Sequence, residues 1–202
     1  MRQNESERER ACERERARAR ESFDTHAQTR THTQLTLPAT LQRRLLDDLD
    51  MIEERKLLPL PRTPCIRQVL DMFVASRGKR SKQEQDEVVE MVQGLTAFFD
   101  MALPRMLLFS FESLKYKRVQ SEHPDLKPSQ LYGGEHLLRL LMKMPTEMMT
   151  AKVTADKAMS LQPRLQELIK FLEKNEGTIM TNEWEPADTE YIEAFEEQLA
   201  RA

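Results

Sequence analysis

Leu41, Leu45, Leu49 and Ile52 stand at i, i+4, i+8 and i+11, a spacing that lays one apolar stripe along a helix and fits no alternating strand. The stripe predicts a helix over about residues 39–55. The same period returns down the chain, with helix breakers falling between the runs. Pro59 and Pro61 force an extended link, because proline lacks the N–H a helix needs and restricts the residue before it. Ile66, Val69, Leu70, Phe73 and Val74 mark a second helix ending near Gly78. Ser81 with Glu84 three residues on makes a capping box. It opens a helix that carries Val88, Val92, Leu95 and Phe99 on one face. Gly94 interrupts that helix, an expected point of close packing.

Pro104 is expected to start a further helix holding Leu107, Leu108, Phe111 and Leu114, which breaks at 122–125. Gly133 and Gly134 form a tight turn into a helix over 135–144, which Pro145 should bend or end. Leu161, Leu165, Leu168, Ile169 and Leu172 define a long helix that Gly177 terminates, with Pro163 marking a kink or a start near Leu161. Tyr191, Phe195 and Leu199 form a last amphipathic run, and Thr178-Ile179-Met180 is at most a short extended link. The fold class is therefore all-α, a single helical domain over residues 37–202.

Residues 1–36 are of another kind. Arg and Glu alternate from Glu5 to Glu21, as in Glu7-Arg8-Glu9-Arg10, with almost no apolar side chain. Pairs at i,i+4 contribute only ~0.2–0.5 kcal/mol each, and with no apolar face to bury the segment is expected to be a disordered charged tail. An Arg-rich run suggests nucleic-acid binding as an alternative role. However, 8 Arg against 7 Asp plus Glu leaves an excess of +1, too little to neutralise a row of phosphates. The whole chain, with a formal net charge of -3, points the same way: no strong direct nucleic-acid binding is expected. No apolar run approaches the ~18 residues of a membrane span, and the charged N-terminus resembles no secretory signal. Cys12 and Cys65 sit in unlike contexts, so a reduced compartment, cytosol or nucleus, is expected rather than a disulfide.

The residues that carry chemistry are missing their companions. His26, His32, His123 and His136 form no His-x-x-x-His pair, and neither cysteine has a second ligand at metal spacing. His136 is read as structural. Asp47, Asp48 and Asp50 point ~100° apart between neighbours on a helix, so they read as a solvated face pairing with Arg43 or Arg44. Gly133-Gly134 lacks the Lys-Ser/Thr element of a phosphate loop. No enzyme, cofactor or metal is expected. The excess lies in methionine: of twelve, Met142, Met144, Met148 and Met149 fall close together. Such flexible side chains fill cores and line adaptable binding surfaces alike.

The order of particular residues adds a family. Leu37-Pro38-Ala39-Thr40-Leu41 through Asp47-Asp48-Leu49-Asp50-Met51-Ile52 resembles the opening of the MRG domain of the mortality factor 4-related chromatin proteins. Leu58-Pro59-Leu60-Pro61 and Leu107-Leu108-Phe109-Ser110-Phe111-Glu112 continue the likeness. The most specific stretch is His123-Pro124-Asp125, Ser129-Gln130-Leu131-Tyr132-Gly133 and His136-Leu137-Leu138-Arg139-Leu140, and Phe171, Leu172, Lys174, Asn175 and Tyr191 extend it. The resemblance implies a nuclear scaffold of histone acetyltransferase and deacetylase complexes, acting in chromatin remodelling and transcription regulation. Its partners would present a helix plus a Phe-x-Leu-Pro-type segment. It implies a hydrophobic binding groove at Leu37, Leu46, Leu49, Phe109, Met142 and Lys143. Leu49 stands where many relatives have Trp, Phe109 where they have Tyr, and Lys143 in place of an Arg fork. Relatives often carry an N-terminal chromodomain, but Phe23 is the one aromatic in residues 1–36. No aromatic cage for methyl-lysine is expected there.

Overall fold

The computed structural model describes residues 35–150 and 154–201. The Arg/Glu-rich run and Cys12 lie outside them, as does nearly all of the expected tail. The fold is all-α. In chain order come α1 (Ala39–Glu53), β1 (Lys56–Leu57), α2 (Ile66–Ser76), α3 (Lys82–Ala102), a π turn (Leu103–Leu107) and a 3-10 turn (Ser110–Glu112). Then follow α4 (Ser113–Glu122), α5 (Pro128–Leu131), α6 (Gly134–Thr150), α7 (Ala155–Lys174), α8 (Glu176–Ile179), β2 (Glu185–Pro186) and α9 (Thr189–Arg201). The strands are two residues each and pair antiparallel, Lys56 with Pro186 and Leu57 with Glu185.

Helix α6 lies at the centre, because the chain from Leu131 to Leu141 is buried at every residue. Around it one core gathers Leu41 of α1, Leu70 and Phe73 of α2, Phe99 of α3 and Ile169 and Leu172 of α7. A second, smaller core joins Ile52 and Leu57 to Phe111, Tyr191 and Phe195. Here α9 packs its apolar stripe, with Phe111 edge-on to Tyr191 (5.2 Å) and Phe195 (5.1 Å). Arg55, at φ 60, turns the chain out of α1 and sets its guanidinium 4.9 Å from the Phe111 ring. Leu199, the last member of the α9 run, is exposed. Thr36 is joined to α7 by a pair of hydrogen bonds with the Gln166 side chain.

Local chemistry explains the ends of the elements. Ser81 and Glu84 form the expected capping box, with the Ser81 hydroxyl accepting from Glu84 N–H at 3.2 Å. Gly78 takes φ 65 just after α2, a conformation that glycine adopts without penalty. Gly134 is required by contact: a Cβ there would lie 2.3 Å from Ile179 Cγ2.

Several expectations are corrected. The helix expected from Pro104 is three pieces. The π turn carries α3 on to Leu107, the backbone is extended at Leu108 and Phe109, and α4 starts only at Ser113. The break lets the Glu112 carboxylate accept the Phe109 N–H at 2.8 Å. Pro145 does not end α6, nor does Pro163 start α7, which begins at Ala155. Each proline removes one helical bond at a cost of roughly 3 kcal/mol, and the long buried faces on these helices outweigh it. Gly177 and Thr178-Ile179 belong to the α8 turn, with α7 ending at Lys174. Gly94 meets nothing: a Cβ there would find no atom within 4 Å. The close packing expected at that point is absent, though an interior glycine costs ~1 kcal/mol relative to alanine.

Candidate functional site: a surface held by a buried ion cluster

Arg139 stands in the middle of the buried run of α6, between Leu138 and Leu140, and is itself 6% exposed. A guanidinium there must be answered by acceptors, or its desolvation would be prohibitive. Its fork grips Asp48 of α1 through Nε to Oδ2 (2.6 Å) and Nη2 to Oδ1 (2.7 Å). The other edge donates to Glu112 Oε2 (2.6 Å), to Glu112 Oε1 (3.3 Å) and to the Leu107 carbonyl (2.9 Å). His136, one turn earlier on α6, donates from Nε2 to Glu112 Oε1 at 3.1 Å and meets Tyr132 edge-on at 4.6 Å. His136 is thus structural, as expected. Its Nδ1 has no hydrogen-bond partner among the described residues.

The charges answer one another. Burial alone would raise the Glu112 carboxyl, but Arg139 and His136 beside it hold it well below the usual carboxylate range. Burial alone would lower the Arg139 guanidinium, but Asp48 and Glu112 raise it further above its ordinary value. Tyr132, buried next to Glu112, is pushed up as a phenol. The bonds of the cluster tie together three segments far apart in sequence: α1, the turn 107–112 and α6.

Asp48 corrects the sequence reading. It is 5% exposed, neither solvated nor paired with Arg43 or Arg44. Arg44 bonds Glu176 and Asn182 instead. The signal was present: Asp48 falls between Leu45 and Ile52 on the apolar stripe of α1, and Arg139 sits inside an apolar run. A charge on each of two buried stripes implies that the two meet.

The six residues marked by the family resemblance distribute around this cluster unevenly. The Phe109 ring lies over Arg139, 4.3 Å from the guanidinium carbon, and is half-buried. Leu49 follows Asp48 directly and is half-buried. Leu46, three residues before it on the same face of α1, is 48% exposed. Met142 and Lys143 lie one turn beyond Arg139 on the same side of α6, both partly exposed. The Lys143 ammonium donates to the Met106 carbonyl, and burial together with the nearby Arg139 lowers its pKa. Leu37 stands apart. It precedes α1, at least ~10 Å of helix rise from Leu46, and packs against the main core. Five of the six residues therefore sit on segments that the ion cluster joins, and Leu37 just precedes one of them.

Comparison with known proteins identifies the company this arrangement keeps. The MRG family profile matches residues 14–186. "Protein MRG1" of Arabidopsis thaliana is 33% identical over 148 residues, covering 73% of this chain and 46% of its own length. "NuA4 complex subunit EAF3 homolog" of Dictyostelium discoideum is 29% identical over 171 residues, 84% of this chain and 44% of its own. "Chromatin modification-related protein eaf3" of Emericella nidulans is 30% identical over 177 residues, 84% of this chain and 54% of its own. The chain spans about half the length of these curated relatives.

Proposed function

This chain belongs to the MRG family, and from that premise we propose that it is a non-catalytic subunit of a nuclear chromatin-modifying complex. Its helical domain would grip partner proteins through the surface around Arg139. One observation carries the reading: Leu49, Phe109, Met142 and Lys143 are partly exposed, yet each lies on a segment anchored by the buried ion cluster around Arg139. An apolar surface on a rigid support loses little freedom when a partner covers it, and that lowers the entropic cost of binding.

The chemistry of the surface fits an amphipathic partner helix. Leu46, Leu49 and Met142 offer area whose removal from water contributes ~25 cal/mol per Å². Phe109, already stacked on a guanidinium, offers a flat anchor that is hard to displace. Lys143 supplies a rim charge, and Leu37 extends the apolar area toward the start of α1. The partners we have in mind are subunits of histone acetyltransferase and deacetylase complexes presenting a helix plus a Phe-x-Leu-Pro-type segment. The names of the relatives, a NuA4 complex subunit and a chromatin modification-related protein, support the class of complex and the nucleus.

The test is co-precipitation from nuclear extract with wild type and with Leu49→Asp plus Phe109→Ala, identifying bound proteins by mass spectrometry. The variant is expected to lose acetyltransferase- or deacetylase-complex subunits while keeping its far-UV helical signal. An unchanged set of partners would remove the surface from the account. Loss of helicity would reassign both residues to the core.

A further inference from the structure

The π turn ends at Leu107 and the backbone is extended from Leu108, so the helical ladder does not continue past the carbonyls of Met106 and Leu107. Two cations of α6, one turn apart, supply donors instead. Arg139 donates to the Leu107 carbonyl at 2.9 Å, and the Lys143 ammonium donates to that of Met106. The two cations are answered differently. Arg139 also holds the Asp48 and Glu112 carboxylates, whereas the group bonded to Lys143 is a neutral carbonyl. By contrast, Lys56 reaches the Glu54 carboxylate at 2.6 Å, and Lys115, likewise half-buried, stands 3.8 Å from that of Glu185.

An ammonium half-removed from water, bonded to a neutral carbonyl and set beside a guanidinium, gives up its proton more readily than an exposed one. Burial first and Arg139 second lower the Lys143 pKa, while Glu147, one turn further on α6, opposes them. The neutral amine keeps an N–H for the Met106 carbonyl and turns its lone pair elsewhere. The side chain is also within reach of solvent, because Lys143 is partly exposed two residues past the buried run that ends at Leu141. Arg139 cannot share this chemistry, since a guanidinium stays protonated.

We infer that Lys143 is an acylation site, whose ε-amine takes an acyl group from an acyl thioester, and that the modification removes the rim charge from the Arg139 surface. The lone pair of Nζ attacks the thioester carbonyl carbon. The C–N bond forms, the C–S bond breaks, and the thiolate leaves with the sulfur electron pair and takes up the proton that the nitrogen sheds. Nothing is oxidised or reduced. Acylated Lys143 carries no charge, offers Met106 a single N–H and adds its acyl group to the surface beside Met142. The regulatory consequence rests on the reading of this surface as the docking surface; the reactivity rests on the groups around Lys143 alone.

The probe is acetyl-coenzyme A, incubated with the full chain at neutral pH without an enzyme, with the occupancy of each lysine followed by peptide mapping and mass spectrometry. Lys143 is expected to acylate faster than the exposed Lys82 and Lys170 by roughly threefold or more. In denaturing urea the difference should vanish. Glu147→Gln removes the carboxylate that favours the ammonium and should speed Lys143 by about 1.5- to 2-fold. Lys143→Gln, a neutral stand-in for the acylated side chain, should recover acetyltransferase- or deacetylase-complex subunits from nuclear extract about two- to fivefold less than Lys143→Arg, which keeps the charge. Equal rates at the three lysines, a preference that survives urea, or a rate that Glu147→Gln leaves unchanged would overturn the acylation site. Equal recovery by Lys143→Gln and Lys143→Arg would overturn its regulatory consequence. If Leu49→Asp plus Phe109→Ala keeps every partner, the docking reading fails, while the acylation rates still decide the site.

Discussion

The two sides of α6 are built on opposite principles. Toward α1 the helix presents Arg139, held by two carboxylates and a carbonyl at distances of 2.6 to 3.3 Å. Toward α3 and α7 it presents Met144 on the stripe of Leu137 and Leu141, with open space beside it. Directional, charge-assisted bonds tolerate few geometries, so the first side fixes how three segments stand relative to one another. Apolar contact tolerates many, so the second side accommodates the open space beside it. Rigidity and adaptability are thereby separated by the width of one helix.

The largest expected effect breaks the rigid side. Arg139→Met would leave the Asp48 and Glu112 carboxylates buried without a counter-charge, and removing one member of such a cluster costs about 3–5 kcal/mol. Urea unfolding followed by far-UV circular dichroism measures this. A loss below about 1 kcal/mol would mean that water, rather than Arg139, satisfies the carboxylates. The same cluster makes the fold sensitive to acid. Glu112 is held below its unfolded pKa, so its contribution is complete above the ordinary carboxylate range and is lost as pH falls through that range toward the folded value. Stability measured from neutral pH downward should decline for wild type and decline less for Glu112→Gln, whose amide does not titrate.

Next in size is Gly134→Ala, on the short turn that starts α6. The added methyl would lie 2.3 Å from Ile179 Cγ2 and 3.2 Å from the Ile179 carbonyl oxygen. Overpacking of this kind costs about 1–3 kcal/mol, and the midpoint of thermal unfolding should fall accordingly. If it does not, α8 moves freely against α6 and the central helix is less constrained at its start than the contacts imply.

The helices were legible in the sequence because their information is local. The stripe Leu41, Leu45, Leu49 and Ile52 and the Ser81–Glu84 capping box are decided within a few turns of chain; the helix and the box are found as read, with Leu41 and Ile52 buried and Leu45 and Leu49 half-buried. What was not legible depends on partners distant in sequence. Asp48 lies 91 residues from Arg139, and nothing near it says which cation will bury it. The segment after Pro104 carries helical spacing throughout, yet its backbone breaks at Phe109 because Glu112 is drawn to Arg139. The prolines in α6 and α7 mislead for the same reason, since a buried face outweighs a local preference. The surface positions came from the order of family residues, and periodicity alone does not distinguish half-buried Leu49 from buried Leu41, which share one stripe.

The smallest expected effect has the opposite sign, and it sharpens the comparison between the two sides. Gly94 sits inside the twenty-one residues of α3, with no neighbour within 4 Å of where a Cβ would be. Alanine there gains helix propensity and restricts the unfolded chain, so Gly94→Ala should stabilise the domain by about 0.5–1 kcal/mol. Thermal unfolding of the variant beside wild type measures it. A rise would show that the free domain carries a less stable residue on the open side of α6 than its own packing requires. A fall would mean that α3 needs glycine for its own backbone, and the openness of that side of α6 would then be a by-product of that need.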